Sequence, residues 1–204
     1  MKNILPPKQF KILKKLNTPV KIQTFLDKLP INFEKDGETF LSPLAVLKKR
    51  TCHCIEAAVL AALAMRVNGR PPLVLDLTAV RNDFDHVIAV FQKGQQWGAI
   101  SKTNHAVLRY REPVYNSIRE LVMSYFHEYQ DDYGHKNLRS YSLPVNLKRF
   151  DRLGWMTTYE DIDYIPEYLV KVKHYSILTR TQIRNLRMAD PLEIQASRLT
   201  EYKN

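Results

Sequence analysis

The sequence predicts an α+β fold, and three observations carry that prediction. Helix-forming patterns come first, between Thr18 and Val67. Strand-forming runs follow, between Leu73 and Ser101, and a mixed region closes the chain. Strands and helices do not alternate, as a parallel βαβ sheet would require. The 204 residues, 45% hydrophobic and 25% charged, suit one domain with a sizeable core. There are 6 Gly and 11 Pro and no repeat or low-complexity stretch, so no flexible linker divides the chain. The expected organisation is a single domain over 1–204, with a motif-bearing core at about 43–130 and an extension over 131–204.

Each element has a local reason. In "TPVKIQTFLDKL", Thr18 is a capping residue, Pro19 suits the first helical position, and Val20, Ile22, Phe25, Leu26 and Leu29 share one face. Ser42–Pro43 repeats the start signal ahead of "LAVLKKR". The run Ala57 to Met65 is nine apolar residues long and belongs to a helix enclosed by the core. It must stop at "VNGRPP", where Gly69 and two prolines end a helix. "LVLDL" (Leu73 to Leu77) is a buried strand, and "DHVIAVFQKGQQWGAIS" (Asp85 to Ser101) is a hairpin around a Gly-containing turn. "NSIRELVMSYFHEY" (Asn116 to Tyr129) has helical spacing behind an Asn/Ser cap. "YEDIDYIPEYLVKVKHY" predicts partial helix interrupted near Pro166, and the tail from Thr179 is polar and basic.

The net charge is +10, with 31 basic and 21 acidic residues. The excess is spread along the chain, with no zinc-finger spacing and no RNA-binding aromatic signature. That pattern disfavours nucleic acid and fits a solvated basic surface. Met1 to Arg50 is richest, with eleven Lys/Arg against four Asp/Glu, which leaves a nucleic-acid or anionic-membrane surface as the sharper alternative, or a non-enzymatic binding module that holds an acidic partner or nucleic acid through its basic N-terminal region. The longest apolar run falls far short of a membrane span. "MKNILPPKQFKILKKL" has neither the apolar stretch nor the cleavage site of a signal peptide. Cytoplasmic location, with no membrane, is the expectation. The two cysteines have one residue between them and make no disulfide framework, which suits a reducing compartment.

Those cysteines, Cys52 and Cys54, stand at the head of the apolar run. A helix starting near Thr51 or Cys52 puts Cys54 in its first turn, where free N–H groups and the helix dipole favour a thiolate. The same N–H groups can donate to an oxyanion. Yet nothing in "SPLAVLKKRTCHC" forbids one continuous helix, which would leave Cys54 in mid-helix as an inert core thiol.

A nucleophilic thiol also needs a base and a group to orient that base. His127 falls beside an apolar face, while His135 and His174 have polar surroundings. His53 adjoins the thiol but, on a helix, points elsewhere. His86 and His105 remain. With Lys93–Gly94 as the hairpin turn, His86 faces Ser101; longer turns bring Lys102, Thr103 or Asn104 opposite it. Either Ser101 or Asn104 can accept the imidazole N–H. Asp83 and Asp85 are near, although Asp85 should face the other side of the sheet. Cys52, His53, Cys54, His86 and His105 are also zinc-ligand types, but C-x-C with no second cysteine pair is a poor zinc spacing. No metal or cofactor is expected.

The spacing of Cys54, Arg66, Gly69 and Pro71 resembles the core motif of the transglutaminase-like superfamily, within the papain-like cysteine hydrolase fold. His86, Trp97 and Ser101 stand where that family has a His, a Trp and an Asp. "DHVIAVF" and "WGAISK" look like a bacterial branch of it. The resemblance covers about Thr51 to Asn104 and implies a Cys-bearing helix packed on a small antiparallel sheet, with N-terminal helices alongside. It further implies Cys54 as nucleophile, His86 as general base and then acid, and Ser101 or Asn104 as the orienting residue. The reaction class it implies is acyl transfer from a peptide or protein amide, to water or to an amine. Two departures stand out: Ser101 replaces the family's Asp, and Ile88 replaces its aromatic after the His.

Overall fold

The computed structural model describes residues 4–35 and 37–203. Four helices open the chain: α1 (Pro7–Lys15), α2 (Pro19–Asp27), α3 (Pro43–Lys49) and α4 (Cys54–Val67). Three of them begin at a proline, whose missing N–H costs nothing at a helix start. The side chains of Thr18 and Ser42 accept the first-turn N–H groups of Lys21 and Ala45, as expected from sequence. α3 and α4 are not one continuous helix. Arg50 adopts the left-handed conformation (φ 63°), and Thr51 to His53 run extended before α4 begins at Cys54. Long-range contacts hold that break open: the Cys52 N–H donates to the Pro30 carbonyl and the Asn32 N–H to the Cys52 carbonyl, both at 3.2 Å.

The β-rich middle of the chain forms β1 (Leu73–Thr78), β2 (His86–Lys93), β3 (Gln96–Ile100) and β4 (Arg111–Tyr115). After the short α5 (Ile118–Met123) come β5 (Ser140–Ser142), β6 (Val145–Asn146), a 3-10 helix (Leu147–Leu153), α6 (Tyr164–Lys171), β7 (His174–Ser176), α7 (Arg180–Arg184) and α8 (Pro191–Ser197). The fold is α+β. Its sheet is antiparallel throughout, in the order β4-β3-β2-β1-β5-β7, with β6 also paired to β1. Residues beyond 131 are therefore woven into the sheet and supply three of the seven strands found among the described residues.

α4 is apolar on every side because every side is covered. The sheet, chiefly β2, lies on one flank and α1, α2 and α3 on the others. Its far end is tied at Asn68, whose side-chain amide donates to the carbonyls of Leu13 (2.9 Å), Leu16 (3.1 Å) and Ala64 (2.9 Å). Arg66 forms a bidentate pair with Asp151 there, at the end of α4 away from the thiol. A second core, of Leu75, Ile88, Val90, Tyr125 and neighbours, fills the opposite face of the sheet.

Three local expectations are corrected. The hairpin turn is Gly94–Gln95, because Lys93 pairs with Gln96. The helix expected over Asn116 to Tyr129 is regular only from Ile118 to Met123; turns then carry Tyr125, Phe126 and Tyr129 into the core. Pro166 does not interrupt α6 but sits in its first turn, where no intrahelical N–H is needed. Among the described residues, no helix is long and apolar enough to cross a membrane.

Gly98 on β3 is a close-approach position. A Cβ there would lie 2.6 Å from Phe91 Cζ, 2.8 Å from the Arg111 carbonyl oxygen and 2.9 Å from Pro113 N. Two of these atoms are backbone and cannot swing aside. Gly98→Ala should cost about 1–3 kcal/mol of unfolding free energy, measured by denaturant titration, and leave Cys54 reactivity unchanged in the folded protein.

Candidate active site

The break before α4 decides the character of the two cysteines. Cys52 faces inward with no exposed surface, and burial pushes its thiol up to about 12. Cys54 is the first residue of α4, half-buried, with its N–H among the amides that a helix start leaves unpaired. Burial opposes ionisation at Cys54 too. Hydrogen bonds from His53 and His86, and the charge those rings carry when protonated, outweigh it and bring the thiol from 9.0 down to about 5.

His53 was expected to point away from the thiol, and the structure corrects this. As the cap of α4 it is extended (φ −97°, ψ −170°) and so stands outside the helix, and its ring bears on the Cys54 thiol. Its Nε2 is 2.8 Å from the Thr39 carbonyl oxygen, which can only accept, so Nε2 carries a proton and Nδ1 is left for Cys54. Carboxylate oxygens of Glu34 and Glu56 each lie 3.5 Å from the same Nε2. Burial disfavours the charged ring, but the Cys54 hydrogen bond and the Glu56 charge prevail and raise its pKa from 6.5 to about 9.

The sequence contains a signal for Glu56 that its apolar setting obscures: it is the one charged residue between Cys54 and Met65. Its buried carboxylate accepts from the Leu41 N–H (2.9 Å), the Thr39 hydroxyl (3.0 Å), the Asn32 amide (3.2 Å) and the His53 N–H (2.9 Å). A buried carboxylate without such donors would be prohibitively costly. It ties the loop carrying Glu34 and Thr39 to the first turn of α4.

His86, at the start of β2, approaches from the sheet. Its Nε2 is 2.7 Å from Ser101 Oγ. Extending the observed ladder puts Thr103 directly opposite His86, so Ser101 is its diagonal neighbour on the same face, within reach of an imidazole. The Ser101 hydroxyl donates to the Leu108 carbonyl. With that proton committed, Oγ can only accept from His86, which fixes Nε2–H and leaves Nδ1 facing the thiol. Leu108 holds a left-handed conformation (φ 59°), and its N–H is anchored on Glu128 at 2.8 Å. Gln23 of α2 clamps the Ser101 backbone from the other side, accepting its N–H at 3.0 Å and donating to its carbonyl at 2.8 Å.

The remaining candidates lie elsewhere. Asn104 exchanges two 2.9 Å hydrogen bonds with the Tyr202 backbone and so docks the C-terminal segment. His105 Nδ1 is bound to the Ser197 carbonyl. Asp85 accepts the Ala79 N–H (2.8 Å), and Asp83 holds Phe84 and Asn137. Among the described residues, no group of three or more His, Cys, Asp or Glu side chains is arranged to hold a metal ion.

What comes together is a thiol at a helix start, two imidazoles facing it, and a hydroxyl fixing one of them. No protein-family model matches this chain, and no curated protein does. Chemically, the cluster holds a thiolate near neutral pH beside groups able to move protons.

The two shifts define a pH window. A thiol depressed to about 5 adds stability at alkaline pH that is lost as pH falls through about 5; an imidazole raised to about 9 adds stability at acid pH that is lost as pH rises through about 9. The ion pair spans the interval between. Thermal unfolding of the wild type should weaken as pH falls from about 6.5 to about 5 and stay level on the alkaline side, where the thiol's gain offsets the imidazole's loss, and Cys54→Ala should flatten the acid edge. Iodoacetamide should label Cys54 with a midpoint near 5, and leave Cys52 unlabelled in the folded chain.

Proposed function

We propose that this protein catalyses thiol-dependent acyl transfer, with Cys54 as nucleophile and His86, held by Ser101, as general base. The observation that carries the reading is His86, fixed through Nε2 on Ser101 at 2.7 Å, beside a thiol at the head of α4 that the neighbouring imidazoles hold well below its ordinary pKa. The Cys54–Arg66–Gly69–Pro71 and His86 spacing, which resembles the transglutaminase-like superfamily, points the same way. The substrate class is a peptide or protein amide. The Cys54 thiolate attacks the carbonyl carbon, a C–S bond forms, and the carbonyl π electrons move to oxygen. The N–H groups at the start of α4 face the developing oxyanion. Collapse breaks the C–N bond, releases the amine and leaves a thioester on Cys54. Water then yields a carboxylic acid, and an amine yields a new amide.

Ser101 in place of a carboxylate has a consequence. A hydroxyl fixes the imidazole's tautomer but offers no negative charge to stabilise the imidazolium.

An activated ester tests the reading without knowledge of the natural substrate. Treating the folded chain with p-nitrophenyl acetate should release a burst of one nitrophenol per chain and place one acetyl group on Cys54, seen by peptide mass spectrometry. Hydroxylamine should capture that acetyl as a hydroxamate. Cys54→Ala should abolish both burst and adduct. A wild-type protein that gives no burst and no Cys54 adduct is not an acyl-transfer enzyme of this kind.

A further inference from the structure

One imidazole usually serves a nucleophilic thiol, but Cys54 has two, and they are not equivalent. Both are anchored through Nε2, His53 on the Thr39 carbonyl at 2.8 Å and His86 on the Ser101 hydroxyl at 2.7 Å, so both present Nδ1 to one sulfur. Their surroundings differ in charge. Two carboxylates, Glu34 and Glu56, stand 3.5 Å from the His53 ring. Apart from the thiol, His86 bonds to a neutral hydroxyl, and the nearest acids in sequence, Asp83 and Asp85, are committed to the loop before β2. The carboxylate support missing from His86 is found at His53.

We propose that His53 is a second catalytic residue and that the proton work is divided: His53 holds the standing proton and protonates the leaving amine, while His86 stays neutral and takes the proton from the attacking water. The proposal rests on Cys54 being the acyl-accepting nucleophile, and it names what each neighbour does. In the first half, the C–N bond breaks as His53 Nδ1–H passes its proton to the departing nitrogen, leaving His53 neutral. In the second, water attacks the thioester as His86 Nδ1 removes one proton; the C–S bond breaks and its electron pair returns to sulfur. The cycle ends with His86 protonated and His53 neutral. The thiolate between the two Nδ1 atoms takes the proton from His86 and hands it to His53, which restores the starting state. Amide and water become acid and amine, with every proton accounted for.

The groups facing His53 are Glu34 from the loop after α2, Glu56 and Cys54 from α4, the Thr39 carbonyl and the Phe40 ring edge. Those acting on the sulfur are His53 and His86, with Cys52 and Tyr129 farther off. Glu34 is partly exposed, so Glu34→Gln alters the charge beside His53, keeps an acceptor for the Thr39 N–H and leaves the core intact.

The test uses the full chain labelled with 15N-histidine, in wild type and in His53→Gln, His86→Gln and Glu34→Gln variants. At neutral pH the spectrum should show His53 protonated on both nitrogens and His86 as the neutral Nε2–H form. Glu34→Gln should lower the His53 midpoint by about half a pH unit or more. Iodoacetamide labelling at about pH 6 should slow roughly tenfold or more in His53→Gln and much less in His86→Gln. With p-nitrophenyl acetate, the Cys54 acetyl thioester should persist about a hundredfold longer in His86→Gln. A charged His86 beside a neutral His53, or a thiolate lost in His86→Gln alone, overturns the division and leaves acyl transfer at Cys54 standing. A thiol that labels only in its ordinary alkaline range, with both rings neutral, overturns both.

Discussion

The buried carboxylate of Glu56 is the constraint on which the site depends. It lies in the first turn of the most apolar helix of the chain, where an unpaired carboxylate would destabilise the fold severely. Its four donors come from the loop of Asn32, Thr39 and Leu41 and from the His53 backbone. Satisfying Glu56 therefore positions three things at once. The loop closes over the head of α4, the Thr39 carbonyl becomes the anchor for the His53 ring, and His53 is held in the extended conformation that ends the link from α3. A helix running straight through from α3 would deprive Glu56 of its His53 N–H and turn the imidazole away from the sulfur.

The second imidazole depends on an equally remote set of contacts. Ser101 accepts from His86 because its own proton goes to Leu108, and Leu108 offers that carbonyl from a left-handed conformation that Glu128 helps to hold. Gln23, from a helix nearly eighty residues earlier in the chain, clamps the Ser101 backbone from behind. Such chains of committed donors and acceptors specify tautomers, and a site that depends on which nitrogen bears a proton needs that specification. The thiols show the same logic in contrast. Two residues apart, Cys52 and Cys54 are driven in opposite directions, one chiefly by burial and the other by imidazoles that outweigh burial.

Much of the scaffold was legible along the chain. The starts at Thr18–Pro19 and Ser42–Pro43, the all-round apolarity of α4, its stop at Gly69, and β1, β2 and β3 all follow from local patterns with local causes. The hairpin was recognisable, but its turn fell one residue later than expected, since Lys93–Gly94 and Gly94–Gln95 are similar turn sequences and pairing decides between them. Ser101 still reaches His86, because an imidazole spans the diagonal of an antiparallel ladder. Asn104 could not be separated from Ser101 in advance. Only the docking of the C-terminal segment, which occupies the Asn104 amide with Tyr202, distinguishes them.

The sequence by itself determined the α+β class, the buried Cys-bearing helix, and a shortlist containing Cys54, His86 and Ser101. These follow from periodicity, capping chemistry and spacing, which act over a few residues. The tertiary structure alone decided where α4 begins, and with it the direction of the His53 ring and the contrast between the two thiols. Pro30 and Asn32 grip Cys52 from twenty residues away, and the donors to Glu56 come mostly from a loop that no local pattern joins to α4. The final third likewise shows little regular patterning on its own, because its strands are short and gain their partners only from β1 and β5. Charge stabilisation at Cys54 is a property of what gathers around the sulfur, and that gathering is non-local.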